Sequence, residues 1–300
     1  MKKLTFFIML EKGFEVLKAV YRKYPDIIDT VVCSRDKNIV KDYYNEIKSF
    51  CRQKKIPFCD RLSKPDVRTK YAITISWRWM IRDKNCRLII LHDSILPKYR
   101  GFNPLVTALI KGDKEVGVTA IYAAEGYDCG DIIASSKSKI TYPMKIQEAI
   151  RITIRNYSAL TLKIVGYLSR GIEPSAAKQK ESLATYSLWR DEEDYFIDWS
   201  NKAGDIRRFI DAVGFPYKGA AVAAAGRAYR VLQAEEVKDL QIENRTPGKV
   251  IMVQGSKPVV VCGQGLLKIN EIIDESTGRT ALPLKNFRTR FKGCAGLKTL

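Results

Sequence analysis

The sequence predicts a two-part chain. First comes a doubly wound α/β domain with a Rossmann-like, mainly parallel sheet; a small, mainly β, barrel-like domain follows. Three observations predict this. Short apolar runs alternate with helical patterns as far as Leu168, the pattern of βαβ units and parallel pairing. From Gly219 the spacing changes to short strands separated by turn residues. Between these regions lie a polar, turn-rich stretch, Gly171 to Gln179, and a Trp- and Asp-rich stretch, Ser187 to Trp199. The domains are therefore expected at 1–180 and 204–300, with a linker at 181–203.

The elements follow in order. Leu4 to Leu10 is a continuously apolar run and reads as a buried strand. With Lys2 and Lys3 before it, the run superficially resembles a signal peptide. It stops at Glu11-Lys12, however, and no small-residue cleavage site follows. Gly13 opens a helical pattern through Val16, Leu17, Val20 and Tyr21. Ile27 to Cys33 reads as a second strand and Val40 to Cys51 as a second helix. Tyr71 to Ile75, Leu88 to Leu91 and Gly117 to Tyr122 are further strands. Ile146 to Leu168 has helical spacing and closes the first domain; Ala203 to Val213 is also helical. The second domain takes its strands from Ala221 to Ala223, Ala228 to Val231, Gly248 to Val253, Pro258 to Cys262 and Leu266 to Ile273.

Composition bounds the function. A hydrophobic fraction of 46% in 300 residues supports a packed core. Lys and Arg number 52 against 33 Asp and Glu, a formal charge of +19. That favours anionic partners: nucleic acid, nucleotide-linked metabolites, a polyanionic cofactor or an acidic membrane surface. After Glu275 no acidic residue occurs, while Arg279, Lys285, Arg288, Arg290, Lys292 and Lys298 follow. Seven cysteines form no C-x-x-C pair and there is one histidine, which argues against a zinc site and suits a reducing, cytoplasmic compartment. No apolar stretch approaches the length of a membrane span. Neither a G-x-G-x-x-G nor a Walker A pattern appears, so dinucleotide and P-loop readings have no support.

The stretch that carries chemistry is Leu91-His92-Asp93-Ser94-Ile95-Leu96-Pro97-Lys98-Tyr99-Arg100-Gly101-Phe102-Asn103-Pro104-Leu105. A strand runs into a histidine, then a loop punctuated by Pro and Gly, then a helix beginning near Pro104. Open α/β sheets bind ligands beyond the carboxyl ends of their strands, where His92 sits. A later strand leads into Glu125-Gly126-Tyr127-Asp128-Cys129-Gly130-Asp131.

These residues resemble the formyltransferase family that uses 10-formyltetrahydrofolate, which includes methionyl-tRNA formyltransferase, glycinamide ribonucleotide formyltransferase and the sugar N-formyltransferases. The family pattern is Asn-x-His-x-Ser-x-Leu-Pro-x-x-Arg-Gly, followed later by an Asp-x-Gly turn. His92, Ser94, Leu96, Pro97, Arg100 and Gly101 match the first part; Asp128 and Gly130 match the second. Ile197-Asp198-Trp199 resembles the junction to the small C-terminal domain of the tRNA- and sugar-acting members.

The resemblance implies roles. His92 would accept a proton from the attacking amine or, once protonated, stabilise the oxyanion. Asp128 would orient the imidazole and help shuttle the proton. The folate would lie across Ser76, Trp77, Arg78, Trp79, Met80 and Ile81 and against Ala124, Glu125, Gly126 and Tyr127. Ser94, Arg100, Gly101 and Asn103 would contact substrate or brace the loop. One departure stands out: Ile90 occupies the position of the family's Asn and cannot donate a hydrogen bond, which leaves Asn103, a backbone N–H or His92 itself to serve.

Two further departures concern the acceptor. The loop after the second strand, Ser34 to Lys41, contains neither Pro nor Gly, unlike the loop of the tRNA enzymes. Met9-Leu10-Glu11-Lys12-Gly13 stands where those enzymes carry Gly-Thr-Pro. Both departures, together with Ser187 to Trp199, point to the sugar enzymes and a nucleotide-linked deoxyamino sugar. Methionyl-tRNA formyltransferase is the alternative favoured by the charge, and a non-catalytic folate- or sugar-binding homologue is the alternative raised by Ile90. By the same resemblance the chain would form a homodimer.

Overall fold

The computed structural model describes residues 3–63, 66–81 and 86–294. Lys2 and Lys298, named above, lie outside these residues. The chain divides into two compact units. The first holds the residues up to 108, with 113–140 and 148–188; the second holds 109–112, 141–147 and the residues from 189 onward. The expected linker, 181–203, is thus shared between them.

The first unit is built on a seven-stranded sheet. Its strands are β1 (Leu4–Ile8), β2 (Ile28–Cys33), β3 (Phe58–Asp60), β4 (Tyr71–Ile75), β5 (Arg87–His92), β7 (Glu115–Tyr122) and β8 (Ile132–Lys139). A short strand, β6 (Arg100–Gly101), pairs separately with β9 (Tyr186–Ser187). The sheet order is β3-β2-β1-β4-β5-β7-β8. The first five strands are parallel, while β7 and β8 run antiparallel. The helices are α1 (Leu10–Lys23), α2 (Tyr44–Gln53), α3 (Pro104–Lys111) and α4 (Ile146–Ser169). The first strand is apolar at every position because both of its faces are buried. Leu4, Phe6 and Ile8 join the core with Val16, Leu17 and Ile164, while Phe7 packs on the other face with Val32 and Ala72.

Several elements depart from expectation. The first strand ends at Ile8, and α1 begins at Leu10 rather than near Gly13. Leu10 adopts a left-handed conformation (φ 62°) that turns the chain, and Gly13 N–H already donates to Met9 C=O at 3.0 Å. The second helix begins at Tyr44 rather than Val40. Asp42 accepts hydrogen bonds from Asp36 N–H and Tyr44 N–H, and Asp36 accepts one from Asn38 N–H, so side chains hold this segment as a turn. Strands β3 and β8 had no clear signal: β3 has three residues, and β8 is a sheet edge rich in Ser and Lys.

The second unit contains α5 (Ala203–Ala212) and the strands β10 (Ala220–Ala224), β11 (Arg227–Val237), β12 (Val250–Gln254), β13 (Lys257–Val261) and β14 (Leu266–Asp274). They form an antiparallel sheet in the order β10-β11-β14-β13-β12. Residues 289–292 join its two edges. Ala223 and Lys292 exchange backbone hydrogen bonds, Phe291 N–H donates to Gly248 C=O, and Val250 N–H donates to Thr289 C=O. The expected barrel-like closure is present. Ile197 and Trp199 are buried here, and the Trp199 ring stacks on Phe291 at 5.9 Å. No helix among the described residues is long and apolar enough to cross a membrane.

Candidate active site

His92 is the last residue of β5 and is buried. Side chains alternate along a strand. Ile89 and Leu91 enter the main core, so Ile90 and His92 share the opposite face. The half-buried Ile90 therefore places an alkyl group on the same face as the imidazole. Both ring nitrogens are engaged. Nε2 lies 2.8 Å from Tyr99 C=O, and Nδ1 lies 3.3 Å from Asp128 Oδ2. A carbonyl can only accept, so Nε2 carries a proton. Nδ1 is then the nitrogen at which His92 gains or loses one, and it faces a carboxylate.

Asp128 follows β7 and is itself left-handed (φ 51°). Its Oδ2 also accepts a hydrogen bond from Gly101 N–H at 2.9 Å, while Oδ1 makes no hydrogen bond among the described residues. The two glycines of the pattern are sterically required. A Cβ on Gly130 would lie 1.7 Å from Tyr122 O, and one on Gly101 (φ 98°) would lie 2.7 Å from Ser187 O. Backbone contact fixes both, and at Gly101 the positive φ adds to it.

The loop between His92 and Asn103 is braced from within. Ser94 Oγ donates to Lys98 C=O at 2.6 Å. Thr119 Oγ1 donates to Ser94 C=O and accepts from Leu96 N–H. Arg100 is only 1% exposed; its guanidinium makes a forked pair with both Glu181 oxygens and also bonds Gln179 Oε1. The Arg100 guanidinium in turn holds the Glu181 carboxyl below its ordinary range. Asn103 (φ 48°) starts α3, its C=O accepting from Thr107 N–H; among the described residues its side-chain amide makes no hydrogen bond. Ser94 and Arg100 thus spend their polar atoms on the protein, whereas the Asn103 amide does not. A cleft of about 290 Å³ lies beside the loop, lined by Asp93, Ser94, Lys98, Asp113 and Gly117, and includes neither His92 nor Asp128.

The two expected folate segments differ. Ser76 (φ 54°) turns the chain after β4. The Trp77 ring packs edge-on against Phe7 at 5.1 Å and Trp79 at 5.2 Å, and its buried indole N–H has no partner among the described residues. Arg78 pairs with the buried Asp36, and the Arg61 guanidinium lies over the Trp79 ring. Met80 is exposed, and Ile81 packs against the same apolar cluster as Trp77. Ala124, Glu125, Gly126 and Tyr127 are all exposed, and the Tyr127 ring lies 6.3 Å from Phe102.

Four residues missed by sequence reading complete the site. Gln179 Nε2 donates to the carbonyls of both Asp128 and Gly130, while its Oε1 serves Arg100, so one amide links the two parts of the pattern. Asp93 forms an ion pair with Lys12 of α1, and Tyr157 of α4 is buried beside them. Only Asp93, adjacent to His92, carried any signal in the sequence. Lys12, Tyr157 and Gln179 lie far from the pattern along the chain. The thiols of Cys33, Cys51 and Cys262 are pushed up to about 12 by burial and are not nucleophiles.

Two family models match the chain: formyl transferase over residues 70–159, and formyl transferase, C-terminal domain, over 190–291. Together they span more than half of its length. The chain belongs to the formyl transferase family. Among this family's curated members, methionyl-tRNA formyltransferase of Halothermothrix orenii is 32% identical over 208 residues, covering 66% of this chain and 63% of that protein. The aligned region is thus less than two thirds of that relative. Two solved formyltransferase structures show the same fold. WlaRD, a sugar 3N-formyl transferase determined in the presence of dTDP and 5-N-formyl-THF, has a TM-score of 0.69 at 16% identity over 90% of this chain and 99% of its own. The N-formyltransferase of Helicobacter canadensis, in complex with folinic acid and dTDP-3-aminofucose, has a TM-score of 0.66 at 14% identity, again over 90% and 99%.

Proposed function

We propose that this formyltransferase moves a formyl group from 10-formyltetrahydrofolate to the amino group of a nucleotide-linked deoxyamino sugar. The observation that carries the enzymatic reading is the His92–Asp128 pair, Nδ1 to Oδ2 at 3.3 Å, at the carboxyl end of a sheet strand. When bound, 10-formyltetrahydrofolate supplies the formyl group. The protein's own residues then handle protons and charge. Asp128 Oδ1, free of hydrogen bonds within the described residues, receives the proton of the attacking amine and passes it to the folate nitrogen as the formyl carbon–nitrogen bond breaks. His92 sets the basicity of that carboxylate through Nδ1. Once protonated, the imidazolium offers positive charge to the oxygen that becomes negative. The Asn103 amide is the donor suited to replace the family's Asn, since Ile90 has none.

The residues fit a folate. The Trp77 N–H, without a partner among the described residues, can donate to the edge of a flat heteroaromatic ring, and exposed 124–127 can face it. The sugar assignment is supported by coverage: WlaRD and the Helicobacter canadensis enzyme align over 99% of their lengths. The loop Ser34 to Lys41, without Pro or Gly, agrees. The second reading, formylation of methionyl-tRNA, is favoured by the names of the curated relatives and by the +19 charge. For either reaction the compartment is proposed to be the cytoplasm, and the assembly a homodimer. The test is tetrahydrofolate release from 10-formyltetrahydrofolate with a panel of dTDP- and UDP-linked amino sugars, or with charged initiator tRNA. Turnover with a sugar nucleotide is expected. Turnover with tRNA alone would overturn the sugar assignment, and folate binding without turnover on any amine would leave a binding protein.

A further inference from the structure

A second charged cluster adjoins the His92–Asp128 pair. Lys12, in the first turn of α1, is buried and forms an ion pair with Asp93, the residue after His92. Tyr157 is fully buried on α4. Its hydroxyl donates to Leu91 C=O at 3.5 Å, and Lys12 Nζ lies 5.8 Å from its ring centre. Burial pushes the Tyr157 phenol well above its ordinary range, and the carboxylates of Asp93 and then Asp128 add to that. Two carboxylates therefore act on one buried phenol. The second Asp93 oxygen, Oδ1, is buried and has no hydrogen-bond partner among the described residues.

Of the groups around His92, the Tyr99 carbonyl and Asp128 touch its ring, Asp93 is its neighbour along the chain, and Lys12 and Tyr157 adjoin Asp93. The histidine's own loop supplies Asp93 and the Tyr99 carbonyl, and the β7–β8 turn supplies Asp128. Helix α4 supplies Tyr157, α1 supplies Lys12, and β7 supplies the uncharged Thr119. The nearby cations Arg100 and Lys98 are already matched by Glu181 and Asp113.

We propose that Lys12 is a positioning residue for this reaction: by neutralising Asp93, it leaves Asp128 as the one uncompensated carboxylate acting on His92. Asp128 then holds the imidazole and receives the amine proton without competition from a second carboxylate. The link to rate rests on the function proposed above; the charge balance itself does not.

His92 is the chain's single histidine, so its Cε1–H resonance is unique in the protein and reports its charge without any assay. The experiment is an NMR pH titration of that resonance in the full chain. Lys12→Met leaves Asp93 uncompensated and is expected to raise the titration midpoint by about one pH unit. Asp93→Asn leaves Lys12 uncompensated and is expected to lower it. The double variant, with both charges gone, should return close to wild type, and Lys12→Arg should match wild type. Opposite signs from the two single variants are a result that a merely structural pair would not give. If both midpoints move the same way, or neither moves in folded protein, the proposal is overturned. Should Lys12→Met fail to fold, Asp93→Asn and the double variant decide: an Asp93→Asn midpoint at or above wild type overturns it. The pH profile of kcat/KM for Lys12→Met should move in the same direction as its midpoint. A missing turnover would count against the function proposed above, whereas an unmoved resonance counts against the role of Lys12.

Discussion

Two loops flank the His92–Asp128 pair, and they are built in opposite ways. The loop from His92 to Asn103 turns most of its polar side chains inward: Ser94 bonds its own loop, and the buried Arg100 is fully matched by Gln179 and Glu181. The loop from Ala123 to Tyr127 leaves its side chains exposed. The first holds geometry and the second offers surface. Matching a family pattern therefore does not make a residue a ligand: Ser94 and Arg100 match as well as His92 does, yet their hydrogen-bonding capacity is consumed within the fold.

Substitutions can break this contrast. The largest effect on activity is expected where the loops meet. His92→Asn or Asp128→Asn should lower kcat/KM by about 10³-fold, the usual scale for losing acid–base catalysis; a wild-type rate for either would remove the pair from the chemistry. Next comes the braced loop. Gly101→Ala forces a side chain into a left-handed conformation and against Ser187 O, and should destabilise the fold by about 2–3 kcal/mol in denaturant titrations. Arg100→Met removes the forked pair with Glu181 and should cost about 2 kcal/mol, with the folded fraction keeping its folate affinity.

A pH test sharpens the same point. The Glu181 carboxyl is held below its ordinary range in the folded protein by Arg100. Its contribution to stability is therefore present above the unfolded value, near pH 4.3, and is lost as pH falls through the lower folded value. Thermal melts of wild type and Glu181→Gln should differ at neutral pH and converge in acid. The smallest effect belongs to the exposed loop. Tyr127→Ala should change stability by less than about 0.5 kcal/mol while raising the KM for the folate. A large loss of stability there would show that the exposed loop is also structural.

Much of the molecule was legible from local pattern. Continuous apolar runs marked the buried strands, 3.6-residue spacing marked α4 and α5, and the change after Gly219 marked the barrel. The errors had local physical causes. Asp36 and Asp42 satisfy backbone N–H groups from side chains, which delays α2, and β8 is a polar edge strand that hydropathy does not mark.

By itself, then, the sequence determined the strand and helix order apart from β3 and β8, the position of His92 at a strand end and, through the family pattern, Asp128 as its partner. Each of these depends on periodicity or on a short ordered pattern. Only the tertiary structure decided how charge is distributed around the histidine. Lys12 and Asp93 are 81 positions apart, and Gln179 joins Arg100 to Asp128 across 79 and 51 positions. A buried charge or amide needs a partner wherever the fold can supply one, and no local spacing records which residue that will be.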